Sequence, residues 1–171
     1  MESLAYRKAN LEDLDAIESI LAASIQYLAD QGVDQWQNGE VTIAHIRSAI
    51  EADQAYVFLG EGGEILAFLV LADEDPAYDH LASGAWQTEP PYYAIHRVMI
   101  SLDQRGKGLS QALFQTVKAL ARAAGKRSLR VDTHPDNRVM QHILEREGFC
   151  RTGSTYLSNG GFRWTYDYAL I

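Results

Sequence analysis

Apolar positions along this chain switch between two periods. Leu14, Ile17, Ile20, Leu21 and Ile25 recur at three- and four-residue spacing, the mark of one buried helical face. Asn10 precedes them with Asp13 three positions on, a capping arrangement that predicts where the helix starts. VTIAHIRSAIEA (41–52) reads as a second helix. Leu109, Ala112, Leu113, Val117, Leu120, Ala121 and Ala124 form a third apolar stripe, stopped by Gly125. Pro135 and Asp136 open a fourth helix, with Val139, Met140, Ile143 and Leu144 inward and Gly148 at its end. Strands are predicted at 4–9, 55–60, 64–72, 92–101 and 128–133. A closing pair, 149–158 and 162–170, is joined by the hairpin signal Asn159-Gly160-Gly161. The strand over 92–101 has a near-continuous apolar end and should be central. Residues 73–91 hold three of the four prolines and read as a long loop. The order β-α-α-β-β-β-α-β-α-β-β predicts an α/β (α+β) architecture, a mixed sheet of about seven strands flanked by about four helices. No repeat or linker divides residues 1–171, so one domain is expected.

Composition narrows the classes. With 171 residues and 47% hydrophobic content the chain can bury a substantial core. No run of 18 apolar residues exists, so no membrane span is expected. The N-terminal ten residues lack a basic start followed by an apolar stretch, which speaks against a secretory signal. The single cysteine, Cys150, cannot form an internal disulfide and fits a reducing, cytoplasmic setting as a small strand residue. No Cys/His spacing suits a metal, and none is expected. A net charge of −8 argues against nucleic-acid binding. The charge is divided unevenly. Residues 1–100 hold 17 Asp and Glu against 4 Lys and Arg, while residues 101–171 hold 6 against 11. Either these are two solvated surfaces, or the C-terminal part meets a polyanion and the N-terminal part a cation.

RGKGLS (105–110) sits at the seam between the 92–101 strand and the third helix. Glycine there contributes no packing, so the backbone itself is needed. Amides at a helix N-terminus, opened by glycines, bind phosphate oxygens. No P-loop pattern is present, and a dinucleotide fingerprint would need glycine where Gln111 stands. Too few residues follow for the rest of a dinucleotide fold.

The segment resembles the signature [RQ]-x-x-G-x-[GA] of the GNAT superfamily of N-acetyltransferases, read here as Arg105-Gly106-Lys107-Gly108-Leu109-Ser110. Ser110 departs from the small Gly or Ala at the last position. A second signature, an Asn opening a helix that ends in Gly-Phe, is met by Asn137 and Gly148-Phe149. The resemblance extends to the element order of the whole chain. It implies a sheet splayed between its fourth and fifth strands, and acetyl-CoA as co-substrate. It also implies backbone contacts from Val98, Met99 and Ile100 to the pantetheine arm and acetyl carbonyl. The amides of Gly106, Gly108, Leu109 and Ser110 would hold the pyrophosphate, with Arg105, Lys107 and Arg138 meeting its charge. Asn137 would bond the pantetheine or stabilise its own turn.

The family transfers acetyl by direct attack of a free amine on the thioester, which needs a base and a proton donor. Many members carry the donor Tyr seven residues after the Asn, but Leu144 stands there. His142 is read as surface. Tyr156 is the candidate acid and His96 the candidate base, with Asp73, Glu74 and Asp75 as alternative bases through water. Trp36, Tyr78 and Trp86 lie in loops and are candidate walls of the acceptor site. A cationic small-molecule or peptide amine is the expected acceptor. No nucleic-acid or membrane partner is expected, and a homodimer stays open. The missing Tyr keeps a second reading, a non-catalytic acyl-CoA-binding sensor or regulatory module. A different acyl donor, such as succinyl-CoA, is also left open.

Overall fold

The computed structural model describes residues 3–104 and 106–171, so Arg105 of the glycine loop lies outside the described residues. The described residues form eight strands and four helices. In chain order they are β1 (Ala5–Lys8), α1 (Leu14–Asp30), α2 (Ile43–Glu51), β2 (Ala55–Leu59), β3 (Ile65–Ala72), β4 (Ser83–Gly84), β5 (Tyr92–Ile100), α3 (Leu109–Ala123), β6 (Ser128–Thr133), α4 (Arg138–Arg146), β7 (Cys150–Tyr156) and β8 (Phe162–Ala169). The strands follow one another in the sheet as β1-β2-β3-β5-β6-β8-β7-β4. The pairing of β5 with β6 is parallel, and the registers of β1/β2, β2/β3, β6/β8, β7/β8 and β4/β7 are antiparallel. This is the mixed α/β arrangement expected, with one strand more. The extra strand, β4, is two residues long and pairs with β7 inside the 73–91 segment. Two residues show no alternation, which is why the sequence pattern missed it.

Capping sets the helix starts. Asn10 Oδ1 accepts from the Glu12 amide at 3.0 Å, and Asp13 Oδ2 accepts from the Asn10 amide at 2.8 Å. The chain first makes a 3-10 turn, Leu11–Asp13, before α1 proper. Thr42 caps α2, so that helix begins at Ile43. The fourth helix begins later than expected. Asn137 Oδ1 accepts from the Met140 amide at 3.0 Å, making Asn137 the cap and leaving Pro135 and Asp136 in the preceding turn.

The chain forms two compact units. The first comprises the residues up to Leu71 with Arg97–Leu113; the second comprises Ala72–His96 with Phe114–Ile171. In the first, Ile17 and Leu21 of α1 and Ile46 of α2 pack with Val57, Phe68, Val70 and Met99. Each such side chain contributes roughly 1.5–3 kcal/mol when fully withdrawn from water. In the second, Ala72, Tyr78, Tyr92 and Ala94 form a small cluster with Ala77 and Trp86 against it.

Candidate active site

The strand β5 carries the sequence's main candidates. Its parallel register with β6 covers Tyr92–Ile95 against Ser128–Val131, although β5 runs on to Ile100 and β6 to Thr133. Two residues past the paired stretch, Arg97 adopts φ 54°, a left-handed conformation rare for a side-chain-bearing residue. Such a residue inside a strand interrupts the regular ladder as a bulge does.

Beyond it, in the first unit, Met99 is buried in the apolar core while Val98 and Ile100 are half-buried. A 3-10 turn, Leu102–Gln104, leads into the glycine loop. Gly106 and Gly108 take φ 74° and 75°, where an L side chain would be strained. Gly106, Lys107 and Gly108 are exposed, and a Cβ on Gly106 would meet nothing within 4 Å. Leu109 is buried and starts α3, with Ala112 donating to the Gly108 carbonyl at 3.2 Å. The loop therefore offers open main chain at a helix N-terminus, which suits an anionic pyrophosphate. Trp36 is half-buried, packs against this unit's core at φ 65°, and donates its amide to Glu40 Oε2 at 2.6 Å.

The second unit holds the titratable cluster. His96 Nε2 lies 2.9 Å from Asp75 Oδ2, with the two side chains 24% and 18% exposed. Asp75 precedes the 3-10 turn Pro76–Tyr78, and its other oxygen accepts from the Ala77 amide at 2.8 Å. The Asp75 amide donates to Tyr92 Oη at 3.1 Å. Tyr78 is buried, its ring 5.8 Å from the His96 ring, and its hydroxyl donates to Asp132 Oδ2 at 2.6 Å. Burial first, and then the neighbouring Asp132 charge, hold the Tyr78 hydroxyl well above its ordinary value, so it remains a donor. Burial likewise raises Asp132, against the opposing pull of His96, the Tyr78 hydrogen bond and Arg163. Arg163 Nε stands 4.0 Å from Asp132 Oδ1. Trp86 packs on Tyr78 at 5.1 Å between ring centroids and donates Nε1–H to the Tyr78 carbonyl.

The remaining candidates fall elsewhere. Tyr156 is 58% exposed at the end of β7, with its ring edge-on to Phe162. Arg138 and His142 are exposed on α4, and Leu144 is fully buried core. Of the three acids after β3, Asp73 is exposed and pairs with Lys126, Glu74 is exposed, and Asp75 alone reaches His96. The sequence reading missed Asp132 and Arg163. The signal was present as a carboxylate between Val131 and Thr133, and a guanidinium between Phe162 and Trp164, both charged residues inside strands. Among the described residues, no group of three or more His, Cys, Asp or Glu side chains could hold a metal ion, and no helix is long and apolar enough to cross a membrane.

This strand order, with a glycine-opened helix N-terminus after β5, is the arrangement of the acetyltransferase fold. The acetyltransferase (GNAT) family model matches residues 20–149, and the chain belongs to that family. A GNAT-family acetyltransferase of Streptococcus agalactiae is similar in structure, with a TM-score of 0.87 and 28% identity over 97% of this chain and 95% of that one. The uncharacterized N-acetyltransferase YesJ of Bacillus subtilis is 26% identical over 141 residues, or 81% of this chain and 77% of the relative. The fold also matches yncA of Salmonella typhimurium, whose structure holds acetyl-CoA, with a TM-score of 0.67 and 16% identity over 99% and 95% of the two chains. The chain is thus an N-acetyltransferase of this family.

Proposed function

We propose that this protein acetylates a cationic amine, a small molecule or a peptide end, with His96 as the general base. The observation that carries this reading is the His96–Asp75 pair, 2.9 Å apart, on the strand that continues into Val98–Ile100. An ammonium group must lose a proton before its nitrogen can attack the thioester carbonyl. A neutral imidazole accepts that proton. As the carbon–nitrogen bond forms and the carbon–sulfur bond breaks, the nitrogen loses its second proton and the leaving thiolate gains one. Exposed Tyr156 is the candidate donor, reprotonated in turn by the proton the nitrogen gives up.

Charge supports the acceptor class. Asp75 and Asp132 lie around His96, and residues 1–100 carry a net charge of −13. Such a field favours a cation. Trp86, half-buried beside Tyr78, is the candidate apolar wall of the acceptor site. The main chain from Gly106 to Ser110 and the exposed charge of Lys107 would carry the coenzyme phosphates. Val98, Met99 and Ile100 are the proposed main-chain contacts for its pantetheine arm. Arg105, Asn137 and Arg138 are further proposed contacts.

The test is thiol release from acetyl-CoA across a panel of cationic, neutral and acidic amines. Cationic amines should give the highest kcat/KM, and His96→Ala should lower kcat by about 10²–10⁴-fold with acetyl-CoA affinity intact. An acidic amino acid as best acceptor would remove the acceptor class. A kcat within a few-fold after His96→Ala would remove His96 as base.

A further inference from the structure

We infer that Asp75 is a positioning residue that holds His96 as its Nε2–H tautomer, so that Nδ1 is the atom that takes the proton from the amine. This rests on the reading of His96 as the base. Both oxygens of the Asp75 carboxylate are committed. Oδ1 accepts from the Ala77 amide at 2.8 Å and Oδ2 faces His96 Nε2 at 2.9 Å. Pro76 opens the turn, and the Asp75 amide donates to Tyr92 Oη. The carboxylate orientation is therefore set by main chain, and the ring is held through Nε2 by that carboxylate. An ionised carboxylate only accepts hydrogen bonds, so the hydrogen between the two groups belongs to Nε2. A neutral imidazole carries one ring hydrogen, which leaves the lone pair on Nδ1.

The other groups about the ring do not compete for this arrangement. Tyr78 presents its ring at 5.8 Å and gives its hydroxyl hydrogen to Asp132, which also faces Arg163. Proton transfer is then simple to balance. The acceptor ammonium gives one proton to Nδ1, and the imidazolium, now with hydrogen on both nitrogens, keeps its Nε2–H on the Asp75 carboxylate. Release of the Nδ1 proton to solvent restores the starting tautomer.

Asp75→Asn makes the inference sharp. The Ala77 amide needs an acceptor, so the amide oxygen of the new side chain stays there and its NH₂ turns to His96. A donor facing Nε2 forces the ring hydrogen onto Nδ1, the wrong atom for catalysis. Long-range proton–nitrogen NMR of ¹⁵N-labelled protein at mildly alkaline pH reads this directly, with His96 signals assigned by their loss in His96→Gln. The native protein should show pyrrole-type Nε2 and pyridine-type Nδ1. In Asp75→Asn the two should exchange, and kcat should fall by about 10²-fold or more while KM for acetyl-CoA holds. A native Nδ1–H tautomer would overturn the inference, whatever the variants do. A kcat lowered in His96→Ala but unmoved in Asp75→Asn would overturn the role of Asp75 alone. A kcat unmoved in both would remove the base assignment, and this inference with it.

Discussion

The interior of the first unit is apolar. Ile17, Ile46, Val57 and Phe68 are fully buried there, and Asp13 is the one buried charged residue among those described. The second unit buries Lys118, Arg130, Glu147, Arg163 and Asp167, with Ser128, Thr133, Ser154 and Thr165 beside them. Each of these charges is held by specific partners. Arg130 lies between the rings of Trp86 and Tyr92, 4.6 and 4.4 Å from their centroids, and donates to the Thr88 carbonyl. Asp167 accepts from the Gln87 amide and the Thr88 hydroxyl. The residues between Ala72 and Tyr92, which include Asp75 and Tyr78, are thereby pinned by polar anchors where no periodic apolar face exists to hold them. Apolar packing tolerates exchange of one hydrocarbon for another, whereas a polar network fixes individual atoms. Proton transfer needs the second kind of order, and the His96–Asp75 pair proposed for it lies in the unit that has it.

The largest effect on function is expected in the first unit, from its loop rather than its core. Gly108→Asp places a side chain and a negative charge at φ 75°, where the phosphates would approach. Acetyl-CoA affinity should fall by more than about 10²-fold by calorimetry. Normal affinity in the folded variant would break the division of labour between phosphate loop and proton-handling unit.

Stability should separate the two interiors next. Lys118 and Glu147 are 5% and 3% exposed; Lys118 Nζ donates to the Glu147 carbonyl at 2.6 Å and lies over the Tyr168 ring at 4.2 Å. Glu147→Ala leaves that cation without its counter-charge and should cost about 3 kcal/mol in chemical denaturation. Pairing Lys118→Met with Glu147→Leu should recover most of the loss, because apolar replacement of both partners is often neutral. Ile46→Leu in the apolar interior should cost less than about 1.5 kcal/mol. Equal losses for Glu147→Ala and Ile46→Leu would show that the two interiors do not differ in kind.

The smallest effect is one of sign. Arg7 holds Asp13 with hydrogen bonds of 2.8 and 2.9 Å, and this pairing lowers the Asp13 value from its ordinary 3.8. Asp13 therefore stabilises the fold above the unfolded value, and that contribution is lost as pH falls through the lower folded one. Asp132 is raised by burial, so the folded state holds its proton more tightly than the unfolded chain. Its contribution grows as pH falls from above the folded value towards 3.8. Thermal unfolding against pH should lose its acid-side drop in Asp13→Asn and its preceding rise in Asp132→Asn. The same response in both variants would contradict the assignment.

Much of this was legible from the chain alone. Helical and strand periods, the Asn10 cap and the Asn159-Gly160-Gly161 turn are local, because they depend on residues within a few positions of one another. The glycine loop and its family resemblance were legible for the same reason, since a phosphate site of this kind is a contiguous stretch of backbone. His96 and Asp75 were each candidates, but 21 positions separate them, and no spacing rule says that they meet. Tyr78 read as an exposed loop aromatic and is instead buried on Asp132, 54 residues away, because polar anchors organise its segment. Periodicity reports which face of an element is apolar. Only the tertiary structure decides which two distant polar atoms come within a hydrogen bond, because that contact depends on register, bulge and turn geometry summed over the whole path between them.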